Sequence, residues 1–249
     1  MIEPQRAGPD PARIAHFLLR DVNRAIREHG MIRPGDRIAV AVSGGKDSLT
    51  LLRLLDIRRA YDPIPYELAA IHVRGDETGI TAPHAPLEEW LYGQGIPCQI
   101  VEPDVGPSDP PPLTCHRCTW LRRKAIFLAA EALGCNVVAF AHHADDAAQT
   151  TLLNLLYGGQ AVTLSPHAEY FSGRFRLIRP LIYVPERDLA RFARASNFPS
   201  APPVCPRAKD SRRQRIAQLL GATGPERDQF RSNLLRAGLR GLAEAPRVR

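Results

Sequence analysis

A glycine pair followed by an isolated lysine, Ser43-Gly44-Gly45-Lys46-Asp47-Ser48, stands between two apolar runs and constrains this chain more than any other feature. Ahead of it Arg37-Ile38-Ala39-Val40-Ala41-Val42 reads as a short buried strand, and behind it Leu49-Thr50-Leu51-Leu52-Arg53-Leu54-Leu55 reads as a helix. A strand handed to a helix through glycines makes a cradle for an anion. The glycines admit close backbone approach, the N–H groups of the turn point inward, and the helix N-terminus adds its positive dipole end. Lys46 supplies a point charge, Ser43 and Ser48 supply hydroxyl donors. The lysine is a pointed choice, because among 33 basic residues only Lys46, Lys124 and Lys209 are lysines.

With 249 residues, 44% of them hydrophobic, the chain can bury one substantial core. No apolar run is long enough to span a bilayer and Met1 to Arg6 lack a signal-like stretch, so a cytoplasmic protein without a membrane partner is expected. The excess of 33 basic over 26 acidic residues, a net charge of +7, favours a polyanionic partner.

Ile14, Phe17, Leu18, Val22 and Ile26 recur at helical spacing among Arg13, Arg20, Arg24 and Arg27. Beyond Pro34 strands and helices alternate: strands over Tyr66 to Val73, Pro97 to Val101 and Val137 to Ala141, helices over Leu87 to Gly93, Cys118 to Leu133 and Asp145 to Tyr157. That alternation predicts an α/β fold, a parallel sheet with right-handed crossovers and ligands at the carboxyl ends of its strands. After Tyr157 the chain reads as loop, a hairpin near Ser172-Gly173, a strand-like Arg176 to Leu181 and a helix from Glu186 to Ala195. The expected division is a basic N-terminal helix (1–34), an α/β domain (35–205) and a basic helical C-terminal region (206–249).

Five cysteines in such a chain argue for thiol or metal chemistry over a disulfide framework. Cys98 and Cys135 precede or open apolar strands and read as core residues. Cys115-His116-Arg117-Cys118 starts a helix and puts two thiolates one turn apart, and Cys205 sits in the rigid Pro202-Pro203-Val204-Cys205-Pro206. Three thiolates suit an iron–sulfur cluster with one open iron, or zinc completed by His116 or water. In His142-His143-Ala144-Asp145-Asp146 the acids either cap the following helix or hold Mg²⁺ and orient substrate, a task for which Asp47 is the other candidate. Arg212, Arg213 and Arg215, with Arg227, Arg231, Arg236 and Arg240 beyond, form either a solvated face or an RNA-backbone surface.

The acidic Asp47 directly after the lysine departs from the usual NTPase phosphate loop and resembles the SGGxDS loop of the PP-loop ATP pyrophosphatases. The ordered set of SGGKDS, Thr114 to Cys118 with Leu121-Arg122-Arg123, His142 to Asp146 with Gln149-Thr150, Leu155 to Gly159, Ile178-Arg179-Pro180-Leu181, and Cys205 ahead of Arg213-Gln214 is similar to the tRNA 2-thiocytidine synthetase family. The resemblance implies a Rossmann-like, HUP-type PP-loop domain. It also implies an enzyme that cleaves ATP between the α and β phosphates, adenylates a cytidine of the tRNA anticodon loop at position 32 and replaces its 2-oxo group with sulfur. By the same resemblance Asp47, Lys46 and Asp145 are catalytic. Ser43 to Ser48 with His142 and His143 bind ATP and pyrophosphate, Asp47 and Asp146 hold Mg²⁺, and Cys115, Cys118 and Cys205 hold a 4Fe-4S cluster. The implied partners are tRNA, bound through Arg212, Arg213 and Arg215, and a cysteine desulfurase or other sulfide donor; a homodimer is compatible. A 2-thiouridine synthetase and a cluster-bearing enzyme of small-molecule sulfur transfer stand as the alternatives. The absence of CxxC pairs near both ends favours the cytidine branch.

Overall fold

In the computed structural model, residues 10–75, 83–109, 112–200 and 212–244 are described. Helix α1 (Pro11–Glu28) starts where Asp10 accepts the N–H of Ala12 at 2.9 Å and proline occupies the first helical position. Its apolar stripe, Ile14, Leu18, Leu19, Val22 and Ile26, is buried, whereas Phe17, expected on that stripe, is 52% exposed. There follow β1 (Asp36–Val42), α2 (Lys46–Arg59), β2 (Tyr66–Val73), α3 (Ala85–Tyr92), β3 (Cys98–Val101), α4 (Cys115–Ala132), β4 (Val137–Ala139) and α5 (Ala144–Gly158). Then come β5 (His167–Tyr170), β6 (Phe175–Ile178), α6 (Glu186–Ala195), α7 (Arg212–Gly221) and α8 (Arg227–Glu244).

The sheet order is β3-β2-β1-β4-β6-β5, and every pairing is parallel except β5 with β6. The parallel α/β expectation therefore holds over five strands. The hairpin expected near Ser172-Gly173 is present, with β5 and β6 pairing antiparallel and Tyr170 opposite Phe175; only the bounds of β5 are not read, because four residues of mixed polarity with exposed Glu169 and Tyr170 carry neither alternation nor a β-branched run. The strand read from Arg176 to Leu181 stops at Ile178, because Ile182 and Val184 turn back to the carbonyls of Arg179 and Leu181. Helices α1, α2 and α6 pack on one apolar cluster around Ile38, Val40 and Ile178, and α4 covers the other around Ala39, Ile71 and Val138. The expected core cysteines sit as read: Cys135 is buried and Cys98 is half-buried at the start of β3.

A buried ion pair ties the bottom of the sheet. Asp36 on β1 accepts from Arg176 on β6 and, at 3.0 Å, from Asn136 ahead of β4, and both charged side chains are nearly inaccessible. Removing one partner strands the other charge in a dry site. Asp36→Ala is expected to lower stability by about 3–5 kcal/mol in denaturant unfolding, and Asp36→Ala with Arg176→Met to recover much of that loss. A single-mutant loss under about 1 kcal/mol would show that water reaches the pair.

At the C-terminal side α8 lies along α5, and its glycines are steric requirements. A Cβ on Gly241 would overlap the backbone oxygen of Ala161, and one on Gly238 the hydroxyl of Thr151. The basic C-terminal helices are thereby held against α5, whose first turn carries Asp145 and Asp146.

Candidate active site

The loop from β1 to α2 folds on itself through its serines. Ser48 Oγ accepts the N–H of Ser43 at 3.1 Å and donates to the Gly45 carbonyl at 2.9 Å, and the two serine hydroxyls lie 3.2 Å apart. Gly44 takes φ = 83°, a left-handed conformation that side chains resist, which is why a glycine stands there. Its neighbour Gly45 caps α2, so the first N–H groups of that helix face the loop. Behind the loop, buried His72 at the end of β2 donates through Nδ1 to the Val42 carbonyl at 2.8 Å, and burial holds its pKa below the ordinary histidine value.

The loop walls a cavity of about 350 Å³ that also takes in Ile71 and Val73 from β2, Phe140 and His142 beyond β4, and Thr119, Arg122, Arg123 and Ile126 from α4. Arg122 is fixed there by donating to the carbonyls of Val73, at 3.1 Å, and Gly75. The cavity lies at the carboxyl ends of β1, β2 and β4, where the strand order changes direction and open sheets bind their ligands.

Helix α4 connects this cavity to the thiols. Thr114 caps it by accepting the N–H of Arg117 at 3.2 Å, which puts Cys115 and Cys118 in the first turn. Counting from Cys115, the residues at i+3, i+4, i+7 and i+11 are Cys118, Thr119, Arg122 and Ile126, a single helical stripe whose last three members line the cavity. Cys115 is exposed and Cys118 half-buried. Cys205, the third expected ligand, lies outside the described residues, and among the described residues no group of three metal-type side chains assembles. Two cysteines one turn apart fit a thiophilic metal or cluster completed from elsewhere.

Lys46 is held between two carboxylates. Its ammonium donates to Glu186 at 3.0 Å and to Asp47 at 3.2 Å. Burial works against its charge, but the two carboxylates outweigh burial and hold its pKa above the ordinary value. Lys46 in turn keeps Glu186 below the carboxylate range against the burial that would raise it, and burial pushes Asp47 up in spite of His143 and Lys46. One oxygen of Asp47, Oδ1, is buried without a hydrogen-bond partner. His143 Nε2 lies 3.8 Å from Asp47 and 3.4 Å from Asp146, so two carboxylates converge on one imidazole with an acceptor unused. The two carboxylates, without the imidazole, are the oxygen ligands that Mg²⁺ takes beside a polyphosphate.

Asp145 and Asp146, read together in the sequence, separate in space. Asp146 accepts the N–H of His143 at 3.0 Å and sits 3.9 Å from Arg213. Asp145 accepts the first N–H of α6, that of Glu186, at 2.8 Å and lies 3.3 Å from Arg227. It lines a second cavity with Glu186, Arg187, Arg227, Asp228 and Arg231. Glu186 and Arg227 are site residues that the sequence reading took only as the start of a helix and part of a basic run. An acid at a helix N-terminus is too common to mark a site, so no local signal distinguishes it. Of the expected RNA-binding arginines, all three are exposed on α7; Arg212 lies over the Tyr157 ring at 4.7 Å and Arg213 reaches Thr150 at 3.4 Å. Among the described residues no helix is long and apolar enough to cross a membrane.

A PP-loop domain family model matches residues 18–200. The chain is 38% identical over 233 residues to the tRNA-cytidine(32) 2-sulfurtransferase of Anaeromyxobacter dehalogenans (strain 2CP-C), covering 90% of this chain and 79% of that one. It is also 38% identical over 224 residues to the protein of the same name from Syntrophotalea carbinolica, covering 86% of this chain and 85% of the relative. Among solved structures it is similar to the U34-tRNA thiolase NcsA from Methanococcus maripaludis with its 4Fe-4S cluster, at a TM-score of 0.74 and 20% identity, over 93% of this chain and 82% of that one. At that identity the likeness establishes a shared fold.

Proposed function

The chain belongs to the PP-loop domain family, and on that premise we propose that it is an ATP-dependent tRNA sulfurtransferase that converts a cytidine of the anticodon loop, position 32, to 2-thiocytidine. The observation that carries this reading is the α4 stripe: the helix that presents Cys115 and Cys118 in its first turn walls the anion cradle with Thr119, Arg122 and Ile126. A nucleotide-binding module would need no thiols beside the cradle, and a redox protein would need no cradle beside the thiols.

The pyrimidine carbonyl oxygen is a poor leaving group, so it must be activated first. Its O2 attacks the α-phosphorus of ATP and the bond to the β-phosphate breaks. Pyrophosphate leaves into the cradle of Ser43 to Ser48, where backbone N–H groups and Lys46 meet its charge. Sulfide then attacks C2 and the C2–O bond breaks, releasing AMP. In this reading Asp47, with Asp146, would hold Mg²⁺, which would supply shielding of the phosphate charge. His142 and His143 flank the nucleotide. Asp145 acts at one remove, by fixing Glu186, which aims Lys46. Cys115 and Cys118 with Cys205 would hold a 4Fe-4S cluster, which would supply thiophilic iron for handling the sulfide. The sulfide comes from a cysteine desulfurase or an equivalent donor. The anticodon loop suits such a pocket because its unpaired bases can be splayed into it.

Nucleoside mass spectrometry of tRNA from cells with and without the gene tests the assignment. Loss of 2-thiocytidine alone is expected. Loss of a thiouridine instead would reassign the base, and unchanged thionucleosides would overturn the tRNA reading. Arg212, Arg213 and Arg215 are proposed to contact tRNA phosphates. Reversing all three charges is expected to weaken tRNA binding and to reduce the slope of log affinity against log salt by about 2–3, leaving ATP affinity within a few-fold. An unchanged slope would remove α7 from the RNA surface.

A further inference from the structure

We infer that Arg179 fixes His142 as a neutral imidazole protonated at Nε2, so that His142 serves adenylation as a hydrogen-bond donor to an anionic phosphate oxygen and never as a proton acceptor. The inference rests on the cavity being the ATP site. Its core is a matter of lone pairs. Arg179 Nε lies 3.2 Å from His142 Nδ1, and a guanidinium has donors only, so Nδ1 must be the acceptor and the ring proton must sit on Nε2. The guanidinium cannot swing away, because Arg179 is buried, its backbone N–H donates to Pro166 at 2.9 Å and its terminal nitrogen donates to the Ser165 carbonyl.

Phe140 stacks on the imidazole, with centroids 5.9 Å apart and planes 30° apart, so the ring also has a fixed plane. His142 lines the cavity with Ser43, Gly45 and Ser48, and its Nε2 meets no protein partner among the described residues. Burial first, then Arg179 and more weakly Arg213 and Arg123, push its pKa down to about 4 against the single opposing carboxylate of Asp146. The same crowding lowers Arg179 to about 10, which leaves it charged at neutral pH. A neutral ring with Nδ1 occupied and Nε2 already protonated has one capacity left, to donate. As O2 of the base bonds to the α-phosphorus and the electron pair leaves with pyrophosphate, His142 would strengthen its hydrogen bond to the phosphate oxygen and keep its proton throughout. Arg179 is the positioning residue.

Two measurements decide this. In protein labelled with ¹⁵N-histidine, with His142 assigned by its loss in His142→Gln, long-range ¹H–¹⁵N spectra are expected to show an unprotonated Nδ1 and a protonated Nε2. Arg179→Lys should keep that pattern and Arg179→Met should give a mixture of tautomers. In turnover with tRNA and sulfide at saturating ATP, His142→Asn, whose amide reaches only the Nδ1 position, is expected to lose about 100-fold or more in AMP formation. His142→Gln, whose amide nitrogen reaches the Nε2 position, should stay within about tenfold of wild type. A protonated Nδ1 in the wild-type protein would overturn the role of Arg179, and equal losses in the Asn and Gln variants would overturn the donor role. Wild-type protein that forms neither pyrophosphate nor AMP with tRNA and sulfide would overturn the adenylation reading itself, whereas the tautomer pattern, read on the free protein, would still decide the part played by Arg179.

Discussion

Lys46→Ala is expected to lower AMP and pyrophosphate formation by about 10²–10³-fold while leaving the unfolding transition nearly unchanged. Lys46 is the first residue of α2, beside the cradle proposed to receive the departing pyrophosphate, and among the described residues it is the only cation that both Asp47 and Glu186 contact at hydrogen-bond distance. Its removal therefore costs twice. The leaving group loses a positive charge, and Asp47 and Glu186 lose the nearest cation that offsets their own charge. Lys46→Arg is not expected to rescue, because a planar fork cannot replace a compact ammonium between a backbone cradle and two acids. The side chain is 37% accessible, so truncation leaves no cavity in the core and stability need not follow activity. Chromatography of the nucleotide products is the measurement. ADP as the main wild-type product would sink the α–β cleavage on which this expectation stands.

Cys115→Ala and Cys118→Ala should each abolish 2-thiocytidine formation, and each should remove the broad brown absorbance of protein made without oxygen. Cys98→Ala and Cys135→Ala should keep both. The contrast follows from placement. Cys115 and Cys118 occupy the first turn of α4 beside the cavity, whereas burial pushes the Cys98 thiol up to about 11 and raises that of Cys135 as well. Thiols so disfavoured as thiolates are poor metal ligands and slow nucleophiles. In protein stripped of metal, Cys115 should accordingly react with iodoacetamide before Cys98 and Cys135 at neutral pH, as peptide mass spectrometry would show. A colourless protein holding one zinc, even when made anaerobically, would replace the cluster by a zinc site. Brown protein from Cys118→Ala would dismiss the proposed ligand set.

What could be read from sequence is what neighbouring residues enforce on one another. The strand, glycine turn and helix of the cradle follow from alternation, left-handed Gly44 and apolar spacing within about fifteen residues, and they appear where expected. The thiol pair is equally local: Thr114 caps α4, and 3.6-residue periodicity then places Cys115 and Cys118 on the stripe that faces the cavity. The β5–β6 hairpin is legible from its turn at Ser172-Gly173, but the bounds of β5 are not, because an edge strand of four mixed residues is defined by its partner β6 and not by its own pattern.

The tertiary structure alone decided which charges meet. Glu186 reaches Lys46 across 140 residues because α6 packs on α2, and Asp145 turns from the cradle to the first N–H of α6 while its neighbour Asp146 turns to His143. Arg179 meets His142 because β6 pairs with β4 in parallel, so residues just past the carboxyl ends of both strands come together. Backbone periodicity is written in the order of residues, but partners so far apart are fixed by sheet register and helix packing, and two adjacent aspartates with the same sequence context acquire different work from the elements that happen to close over them.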